Sequence, residues 1–534
     1  MEAMNRTNFV ILSLLALVLC GALGALWMPL FALYLVALPL VAVGVYDMLQ
    51  TDDVIKHNFP LAGRGRYLAL ELRPLVQQYF VESDLSGRPL NKLERNLISA
   101  RAKQTISTNP FGTQKDVYEV GYEWMNHSLA PTEKSEEQHR VRIGGKDCKH
   151  PYDASVLNIS AMSFGSMSKN AILALNAGAK KGHFFHNTGE GGLSPHHLAP
   201  GGDICWQIGT GYFGCRDNDG NFDPELFRKS AAEPSVKLIE IKLSQGAKPG
   251  KGGILPAAKI TAEISKIRNV PMGRDVISPA SHAMFNTPRG LMEFVVQLRE
   301  LSGGKPVGFK LCVGKRREFL AICKAMVEMD TTPDFITVDG SEGGTGAAPL
   351  EFSNYVGTPL IEGLIFVHNA LVGFGVRDQI RVIASGKVTT AFGVARRIAI
   401  GADICNAARA FMLSLGCIQA LKCNTNHCPT GVATQDPTLY GGLDPTKKAD
   451  RVYAFHKDTV KTFNALLAAS GLNEPKDLRP WHIMRRTNQF EIHHYGEIFE
   501  YLEPGSLLQE PLPKTYARAV KGASPEMFGH ARPD

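Results

Sequence analysis

Cysteine is sparse in this sequence, and dense blocks of basic residues are missing. The chain has ten cysteines among 534 residues, which is too few for a disulfide scaffold and is typical of a reducing compartment. The net charge of +7 comes from lysines and arginines that are scattered among acidic residues. Because nucleic-acid binding needs clustered basic residues, we expect no nucleic-acid partner. The excess positive charge suits a surface of anionic lipid instead.

Charged side chains are also missing from Phe9 to Tyr46. This apolar run is long enough for two membrane crossings, because one crossing takes about 20 residues. Trp27 and Pro29 divide the run, since Trp favours the membrane interface and Pro interrupts a helix. The sequence therefore predicts a transmembrane helical hairpin.

The predicted hairpin occupies residues 1–50, with spans at 9–26 and 29–46. Basic residues flank both ends, so the positive-inside rule places the remainder of the chain in the cytoplasm. These flanking residues are Arg6, Lys56, Arg64 and Arg66. The alternative is a signal peptide cleaved near residues 21–25, but it leaves the second apolar span unexplained.

Residues 51–140 are polar and mixed in character. Helical patterns occur around Leu68–Phe80 and Lys92–Lys103. We interpret this stretch as a helical adaptor between a membrane segment and a catalytic body.

Short apolar segments alternate with helical patterns beyond residue 150, which predicts a parallel sheet. Eight such units match the size of a (β/α)₈ TIM barrel. The candidate strands are Val156–Ser160, Phe184–Thr188, Leu238–Leu243, Val276–Ser278, Val307–Leu311, Phe335–Val338, Val382–Ala384 and Ile404–Asn406. A doubly wound sheet is the alternative, but no G-x-G-x-x-G motif follows an early strand. We assign residues 141–440 to the barrel and residues 441–534 to a C-terminal extension that packs on it.

Small or polar residues follow almost every candidate strand. In a TIM barrel these positions converge on one face, where active sites lie. The last two turns contain Ser385, Gly386 and Lys387, and then Ala408 and Arg409. Loops after the seventh and eighth strands commonly bind phosphate. The two turns together therefore predict a phosphorylated cofactor, whereas either turn alone could be an ordinary strand-to-helix connection.

Three of the ten cysteines crowd together as Cys417-x₅-Cys423-x₄-Cys428-Pro429. Thiolates bind iron strongly, and proline often follows the last ligand in iron–sulfur loops. Three ligands without a nearby fourth cysteine favour a three-iron cluster, [3Fe–4S]. Two alternatives remain, namely buried free cysteines and a zinc site that uses His427 as a fourth ligand.

Six stretches of this sequence form an ordered set of motifs, namely 161–166, 187–192, 242–250, 339–347, the cysteine loop 417–428 and 431–435. Together they resemble the FMN-binding synthase domain of the glutamate synthase family. The similarity covers roughly residues 150–440, with the motifs in the family's order and with its three-iron cysteine spacing.

This resemblance implies FMN, a [3Fe–4S] cluster, and reduction of the 2-iminoglutarate that forms from 2-oxoglutarate and ammonia. It implies flavin contacts near the ring, with Lys310 at the N1–O2 edge, where a cation stabilises reduced flavin. Those contacts would be Ala161, Met162, Ser163, Asn187, Glu190, Lys310, Gly343 and Gly344. The family's oxo-acid site corresponds to Lys242, Gln245, Lys248 and Arg268. Cations in this stretch suit a dicarboxylate, although each lysine could alternatively be a solvated surface charge.

The sequence also departs from the family. Members carry an N-terminal glutaminase domain with a cysteine nucleophile, whereas the first cysteine here is Cys20, inside an apolar span. Lys251 stands where an acidic residue is expected. We therefore expect no glutaminase domain, and free ammonia or a separate amidotransferase as the nitrogen source. No NAD(P)H module is recognisable, so ferredoxin or an NAD(P)H-oxidising subunit would supply electrons.

Three other functions are compatible with parts of this pattern. An FMN-dependent 2-hydroxy-acid oxidase would share the barrel, but such enzymes have a histidine base near the seventh strand, where this chain reads Ala384-Ser385-Gly386-Lys387. An amino-acid synthase could use another amine or oxo acid. A membrane-bound flavin and iron–sulfur electron carrier would not need the cationic stretch from Lys242 to Arg268.

Overall fold

The computed structural model describes residues 5–133 and 135–529. The chain forms two compact units, the first ending at Lys92 and the second beginning at Leu93. Each unit has its own architecture.

The first unit begins with two apolar helices, Arg6–Leu26 and Tyr34–Leu49, joined by the 3₁₀ helix Met28–Leu33. The first helix has 21 residues and the stretch Met28–Leu49 has 22, so each is long and apolar enough to cross a membrane. The hydroxyl of Tyr34 donates to the carbonyl of Leu17 at 2.7 Å, which joins the two helices. The prediction of two apolar helices is confirmed.

Two further helices complete the first unit. Asp53 caps the short helix Val54–Asn58. The helix Ala62–Val76 follows and continues into the π-helical turn Gln77–Val81. The predicted helix at Leu68–Phe80 is therefore present but begins earlier.

The second unit is built on a closed barrel of eight parallel strands, as the sequence predicted. We number these strands β1 to β8 along the chain. They are β1 (Leu157–Ile159), β2 (His186–Asn187), β3 (Ile204–Ile208), β4 (Val236–Lys242), β5 (Val307–Leu311), β6 (Phe335–Asp339), β7 (Arg381–Ser385) and β8 (Ile404–Ala407). Each strand pairs with its neighbour in sequence, and β8 pairs with β1.

One predicted barrel strand is wrong and one was missed. Val276–Ile277 pairs antiparallel with Ile254–Leu255, outside the barrel and within the long insertion between β4 and β5. The third barrel strand is instead Ile204–Ile208, with all five side chains buried. Gln207 interrupts its short apolar run, so periodicity alone did not reveal it.

Helices surround the barrel and continue into the C-terminal region. Those of seven or more residues are Lys92–Lys103, Lys169–Gly182, Pro224–Ala231, Ala262–Arg268, Pro288–Leu301, Arg316–Glu328, Leu360–Gly373, Ala391–Ala399, Arg409–Leu415, Pro445–Ala469 and Lys514–Lys521. Shorter ones are Pro195–Leu198, Leu350–Tyr355, Pro437–Tyr440 and Tyr495–Ile498, with 3₁₀ turns at Gly189–Gly191, Ala257–Lys259, Arg377–Gln379, Pro475–Asp477 and Pro480–His482. The long C-terminal helix Pro445–Ala469 packs against Lys169–Gly182.

Small sheets lie outside the barrel. Arg140–Ile143 pairs with Tyr152–Ser155, and Glu123–Met125 forms a three-stranded sheet with Ile483–Arg486 and Ile492–His494. The first of these contributes Ile143 and Ala154 to a buried apolar cluster with residues from β3, β4, β6, β7 and β8. The barrel interior is therefore apolar in this cluster, whereas charged residues occupy its carboxyl-terminal end.

Glu240 on β4 lies within this polar end and is fully buried. Its carboxylate accepts hydrogen bonds from Asn187 at 2.8 Å, from Gln207 at 2.6 Å and from Thr337 at 2.6 Å. These donors come from β2, β3 and β6. One carboxylate thus satisfies three buried polar side chains across the barrel.

Replacing this carboxylate should destabilise the barrel. We expect Glu240→Leu to lower the free energy of unfolding by about 3 kcal/mol, because three buried donors lose their acceptor. Thermal unfolding followed by tryptophan fluorescence measures the effect. Glu225→Leu, the same change at an exposed helix position, should stay within about 0.5 kcal/mol of the parent. If Glu240→Leu and Glu225→Leu unfold at the same temperature, this account is wrong.

Candidate active site

Buried charges gather at the barrel mouth, by which we mean the carboxyl-terminal ends of the eight strands and the loops that follow them. The ammonium of Lys242 lies 2.5 Å from Oε1 of Glu190. The ammonium of Lys310 lies 3.5 Å from Oδ2 of Asp339. Lys242 and Lys310 are register partners on β4 and β5, so two like charges stand side by side. Each has its own carboxylate partner.

Glu190 lies in the 3₁₀ turn Gly189–Gly191 after β2. A Cβ at Gly209 would come within 2.6 Å of the Glu190 side chain, so only glycine fits there. Burial acts to raise the pKa of Glu190, but the cations of Lys242, Lys248 and Arg268 outweigh it and hold this pKa below its ordinary value. Glu190 is therefore an anion at neutral pH.

Lys248 is almost fully buried, at 3% exposure. Its ammonium donates to the carbonyl of Ala347 at 2.9 Å. Burial, together with the positive charge of Lys242, lowers the pKa of Lys248 to about 8. The mouth thus contains a cation that is only weakly compensated and that titrates just above neutral pH.

The loop after β4 is fastened to the loop after β6. The side-chain amide of Gln245 donates to the carbonyl of Gly344 at 3.3 Å, and its oxygen faces Lys242 at 3.4 Å. The backbone N–H of Gly246 donates to Asp339 at 2.9 Å. Asp339 therefore forms an ion pair with Lys310 and also accepts a hydrogen bond from this loop.

Arg268 ends the helix Ala262–Arg268 and points into the mouth. Its guanidinium donates to the carbonyl of Phe164 at 2.8 Å and lies 5.3 Å from the centre of the Phe213 ring. Burial lowers the pKa of Arg268 to about 10, so the side chain is still a cation at neutral pH. Its Nε has no hydrogen-bond partner among the described residues. The structure thus brings the predicted cations Lys242, Lys248 and Arg268 together around Glu190.

The predicted flavin contacts after β1 and β2 adjoin this cluster. The N–H of Met162 donates to the carbonyl of Asn187 at 3.1 Å. Ser163 and Ser166 share a hydrogen bond of 2.6 Å. The side chain of Asn187 is engaged by Glu240 and by the N–H of Gly189. Asn187 therefore shapes this loop through its side chain. Ala161 lies in the loop after β1 and is half-buried.

The predicted phosphate loops follow β7 and β8. Gly386 has φ of +139° and Lys387 has φ of +49°, a region that favours glycine at the first position. Arg397 donates to the carbonyls of both residues, at 3.0 Å and 3.3 Å. Lys387 itself is exposed. The hydroxyl of Ser385 lies 3.3 Å from that of Ser160 on the β1 side.

Arg409 and Asn406 close the same side of the mouth. The guanidinium of Arg409 donates to the carbonyl of Glu342 at 2.5 Å, and a Cβ at Gly344 would lie 3.0 Å from the Arg409 side chain. Oδ1 of Asn406 is buried without a hydrogen-bond partner among the described residues. Gly386 allows close backbone approach, and the adjacent cations Lys387 and Arg409 suit the phosphate of a phosphorylated cofactor. The buried oxygen of Asn406 can only accept a hydrogen bond, so it suits a donor group of a ligand rather than its phosphate.

The three clustered cysteines lie in the loop after helix Arg409–Leu415. Cys428 is buried, and Cys417 and Cys423 are half-buried. Burial and the neighbouring thiols raise the pKa of Cys417 to about 11. At Cys428 burial is outweighed by the Thr430 hydroxyl and by nearby backbone N–H groups, which lower its pKa. Within the described residues, no three Cys, His, Asp or Glu side chains converge to hold a single metal ion. Neighbouring thiols that receive N–H donors nevertheless fit a sulfur-liganded cluster.

Lys259, which the sequence analysis did not single out, joins the cysteine loop to the loop after β1. It is 2% exposed, and its ammonium donates to the carbonyls of Ser166 at 3.1 Å and Ala433 at 2.8 Å. The amide of Gln435 donates to the carbonyls of Gly165 and Met167 in the same loop. No local spacing marks Lys259, because its partners are far away in sequence.

Glu240 and Asp339 were also missed as site residues, although a signal for Glu240 exists. Leu238, Glu240 and Lys242 alternate along β4, so they share a face. Two charged residues on the interior face of a buried strand indicate a paired or functional site.

Comparison with known proteins shows the family of this chain. Residues 113–473 match the family described as "Conserved region in glutamate synthase". The chain belongs to the glutamate synthase family. The resemblance inferred from its motifs is thereby confirmed.

Individual relatives differ in how much of their length is matched. The glutamate synthase large subunit-like protein YerD of Bacillus subtilis is 34% identical, over 86% of this chain and 96% of that protein. The archaeal glutamate synthase [NADPH] of Methanocaldococcus jannaschii is 38% identical, and the match covers 60% of each protein. Among solved structures, mandelate oxidase with (S)-2-phenylpropionate has a TM-score of 0.41 and 12% identity, covering 75% of this chain and 90% of that one. That last likeness is too weak to support an argument.

Proposed function

We propose that this protein is an FMN-dependent oxidoreductase that reductively aminates 2-oxoglutarate to glutamate through 2-iminoglutarate. The observation that carries this proposal is the net positive charge buried at the barrel mouth. In the part of the mouth around Glu190 and Asp339, four cationic side chains face three carboxylates. The cations are Lys242, Lys248, Lys310 and Arg268, and the carboxylates are Glu190, Glu240 and Asp339. A buried site with excess positive charge attracts a dicarboxylate.

Lys248 and Arg268 are the proposed carboxylate anchors. Both now donate to backbone carbonyls, which are weaker partners than a carboxylate. Gln245 provides a donor for the keto oxygen. The ammonium of Lys242, paired with Glu190, would hold a proton for the imine nitrogen, which makes the imine carbon a better acceptor of hydride.

FMN would occupy the mouth between the β1 and β2 loops and the β7 and β8 loops. Bound reduced flavin supplies the hydride in this chemistry. Ser385, Gly386, Lys387, Ala408 and Arg409 would bind its phosphate. Ala161, Met162, Ser163, Asn187, Gly343 and Gly344 would surround its ring system, and Lys310 would stabilise negative charge on it.

Cys417, Cys423 and Cys428 are the proposed ligands of a [3Fe–4S] cluster that passes electrons to the flavin. Lys259 and Gln435 would hold the cluster loop against the loop after β1. Ferredoxin or an NAD(P)H-oxidising subunit would supply the electrons. Ammonia, free or from a separate amidotransferase, would supply the nitrogen.

The apolar helices of the first unit are the proposed membrane anchor. We assign the hairpin to residues 1–50, a helical adaptor to 51–140, the synthase domain to 141–440 and a C-terminal extension to 441–534. The flanking basic residues support a cytoplasmic catalytic domain.

Anaerobic stopped-flow reoxidation tests the reaction directly. The photoreduced protein is mixed with 2-oxoglutarate and ammonia, and flavin absorbance is followed. We expect reoxidation with both substrates and glutamate as product, and little with either alone. Reoxidation by another amine or oxo acid would change the substrate assignment. If no pair of oxo acid and amine reoxidises the flavin, the protein is better explained as an electron carrier.

Two variants should separate the oxo-acid site from the phosphate site. Lys248→Ala should weaken 2-oxoglutarate binding by about 10–100-fold, the effect of losing a charge-assisted hydrogen bond. Its FMN affinity should stay near that of the parent. Ser385→Trp should do the reverse and expel FMN by filling the phosphate loop. Flavin fluorescence and oxo-acid-induced spectral changes measure the two affinities. Parental 2-oxoglutarate binding by Lys248→Ala would exclude this anchor.

The affinity for 2-oxoglutarate should fall as pH rises through about 8, where Lys248 loses its proton. Below that pH the ammonium attracts the dicarboxylate, and above it the neutral amine does not. Spectral titrations from neutral to alkaline pH measure this trend. Lys248→Arg is the matched control, because its guanidinium stays charged and should flatten the dependence. If the 2-oxoglutarate affinity of Lys248→Arg falls with pH as steeply as that of the parent, the titrating group is not Lys248.

Purified protein should contain FMN and iron equivalent to one [3Fe–4S] cluster per chain. Cys423→Ser should lose the iron and retain most of the FMN, since different loops hold the two cofactors. Elemental analysis and absorbance of anaerobically purified protein measure both. Zinc in place of iron would refute the cluster assignment.

Deleting residues 1–50 should convert an integral membrane protein into one that alkaline carbonate extracts. The barrel belongs to the second unit, so the truncated protein should still bind FMN. Fractionation of cell membranes, with the full-length chain as control, measures the change. A folded truncation that resists carbonate would disprove the anchor.

A further inference from the structure

The helix Ala62–Val76 has an exposed apolar stripe along one side. Leu68, Leu72, Leu75 and Tyr79 are 58%, 46%, 52% and 57% exposed. Their spacing of four, three and four residues places them on one helical face, with Tyr79 in the π-helical turn that continues the helix. Such a stripe of large apolar side chains needs a partner surface.

The opposite side of this helix carries two arginines together with Leu70. Arg66 and Arg73 are exposed and lie away from the stripe in the helical projection. Glu71 is the single acidic residue in the helix. A helix with an apolar face and arginines on its polar side is the pattern of a helix that lies in a membrane interface.

An ion pair between the half-exposed Arg64 and a buried carboxylate fixes the start of this helix to the end of the second apolar helix. Asp47, in the last turn of Tyr34–Leu49, is 0% exposed. Arg64 donates to its carboxylate from Nε at 2.8 Å and from Nη2 at 2.6 Å. The N–H of Leu61 donates to the same carboxylate at 3.2 Å. The first turn of Ala62–Val76 is therefore held beside the end of the apolar hairpin.

We propose that helix Ala62–Val76 lies in the headgroup region of the cytoplasmic leaflet, with the Leu68–Tyr79 stripe inserted among the acyl chains. This inference rests on the proposed membrane hairpin. If the second apolar helix crosses the bilayer, its end at Asp47 lies near the interface, and the ion pair holds the next long helix at the same depth. Arg66 and Arg73 then face anionic headgroups, which attract them. The occupant of the stripe is lipid rather than protein.

Tryptophan quenching in lipid nanodiscs tests this placement on the full-length protein. Leu72→Trp places a probe on the stripe. Leu70→Trp is the matched control, because Leu70 is also 46% exposed but lies on the other side of the helix. Nanodiscs of phosphatidylcholine and phosphatidylglycerol are prepared with and without a lipid that carries a nitroxide on the upper part of its acyl chain, at the depth proposed for the stripe. The emission of the parent protein is subtracted in each case.

We expect the nitroxide to quench the probe at position 72 by about half, since interfacial helices bury their apolar face by roughly 5–10 Å. The probe at position 70 should be quenched far less. Equal, weak quenching at both positions would overturn the proposal. A blue-shifted but unquenched probe at position 72, with doubled particle mass, would assign the stripe to a second copy of this chain and also overturn it.

The native Trp27, at the turn between the apolar helices, separates this inference from the proposed anchor. Its contribution is obtained by comparing the parent with Trp27→Phe. Quenching of Trp27 by deep nitroxides or by nitroxides of the far leaflet, without quenching at position 72, would refute only the interfacial helix. Absence of quenching at Trp27 and at position 72 would refute the membrane hairpin as well.

Discussion

Two ammonium groups lie side by side inside a closed barrel. The carboxylates that neutralise their charges constrain the rest of the second unit. Lys242 and Lys310 are neighbours on β4 and β5, in an interior where unpaired charges are costly. Glu190 and Asp339 pair with them. Because these carboxylates come from loops or strand ends on either side, charge pairing fixes the loops after β2, β4 and β6 in one arrangement.

The same reasoning extends to the cysteine loop. Lys259 and Gln435 fasten the region around Cys428 to the loop after β1 through backbone carbonyls. Electron transfer between two cofactors depends on a fixed separation, and a mobile loop would not provide one. These buried hydrogen bonds therefore provide the rigidity that the proposed cluster and flavin need.

The sequence predicted the barrel because seven of its strands are short apolar segments between helices. It predicted the cations because Lys242, Lys248 and Arg268 lie in one stretch that resembles a known family. It failed at β3, whose short apolar run is interrupted by Gln207, and at Lys259, whose partner Ala433 is remote in sequence. Both failures have the same physical origin. Long-range packing and hydrogen bonding determine the structure at these positions, and local periodicity contains no signal for them.

The long insertion between β4 and β5 contributes Lys248, Lys259 and Arg268. Each of them is buried and each donates to a backbone carbonyl outside the insertion. The conformation of the insertion therefore depends on cations that are only partly compensated. If Lys248 and Arg268 bind a dicarboxylate as proposed, the ligand would complete that compensation, and its binding would be thermodynamically linked to the ordering of the insertion. Such a linkage would allow a segment outside the barrel ladder to form the proposed substrate site.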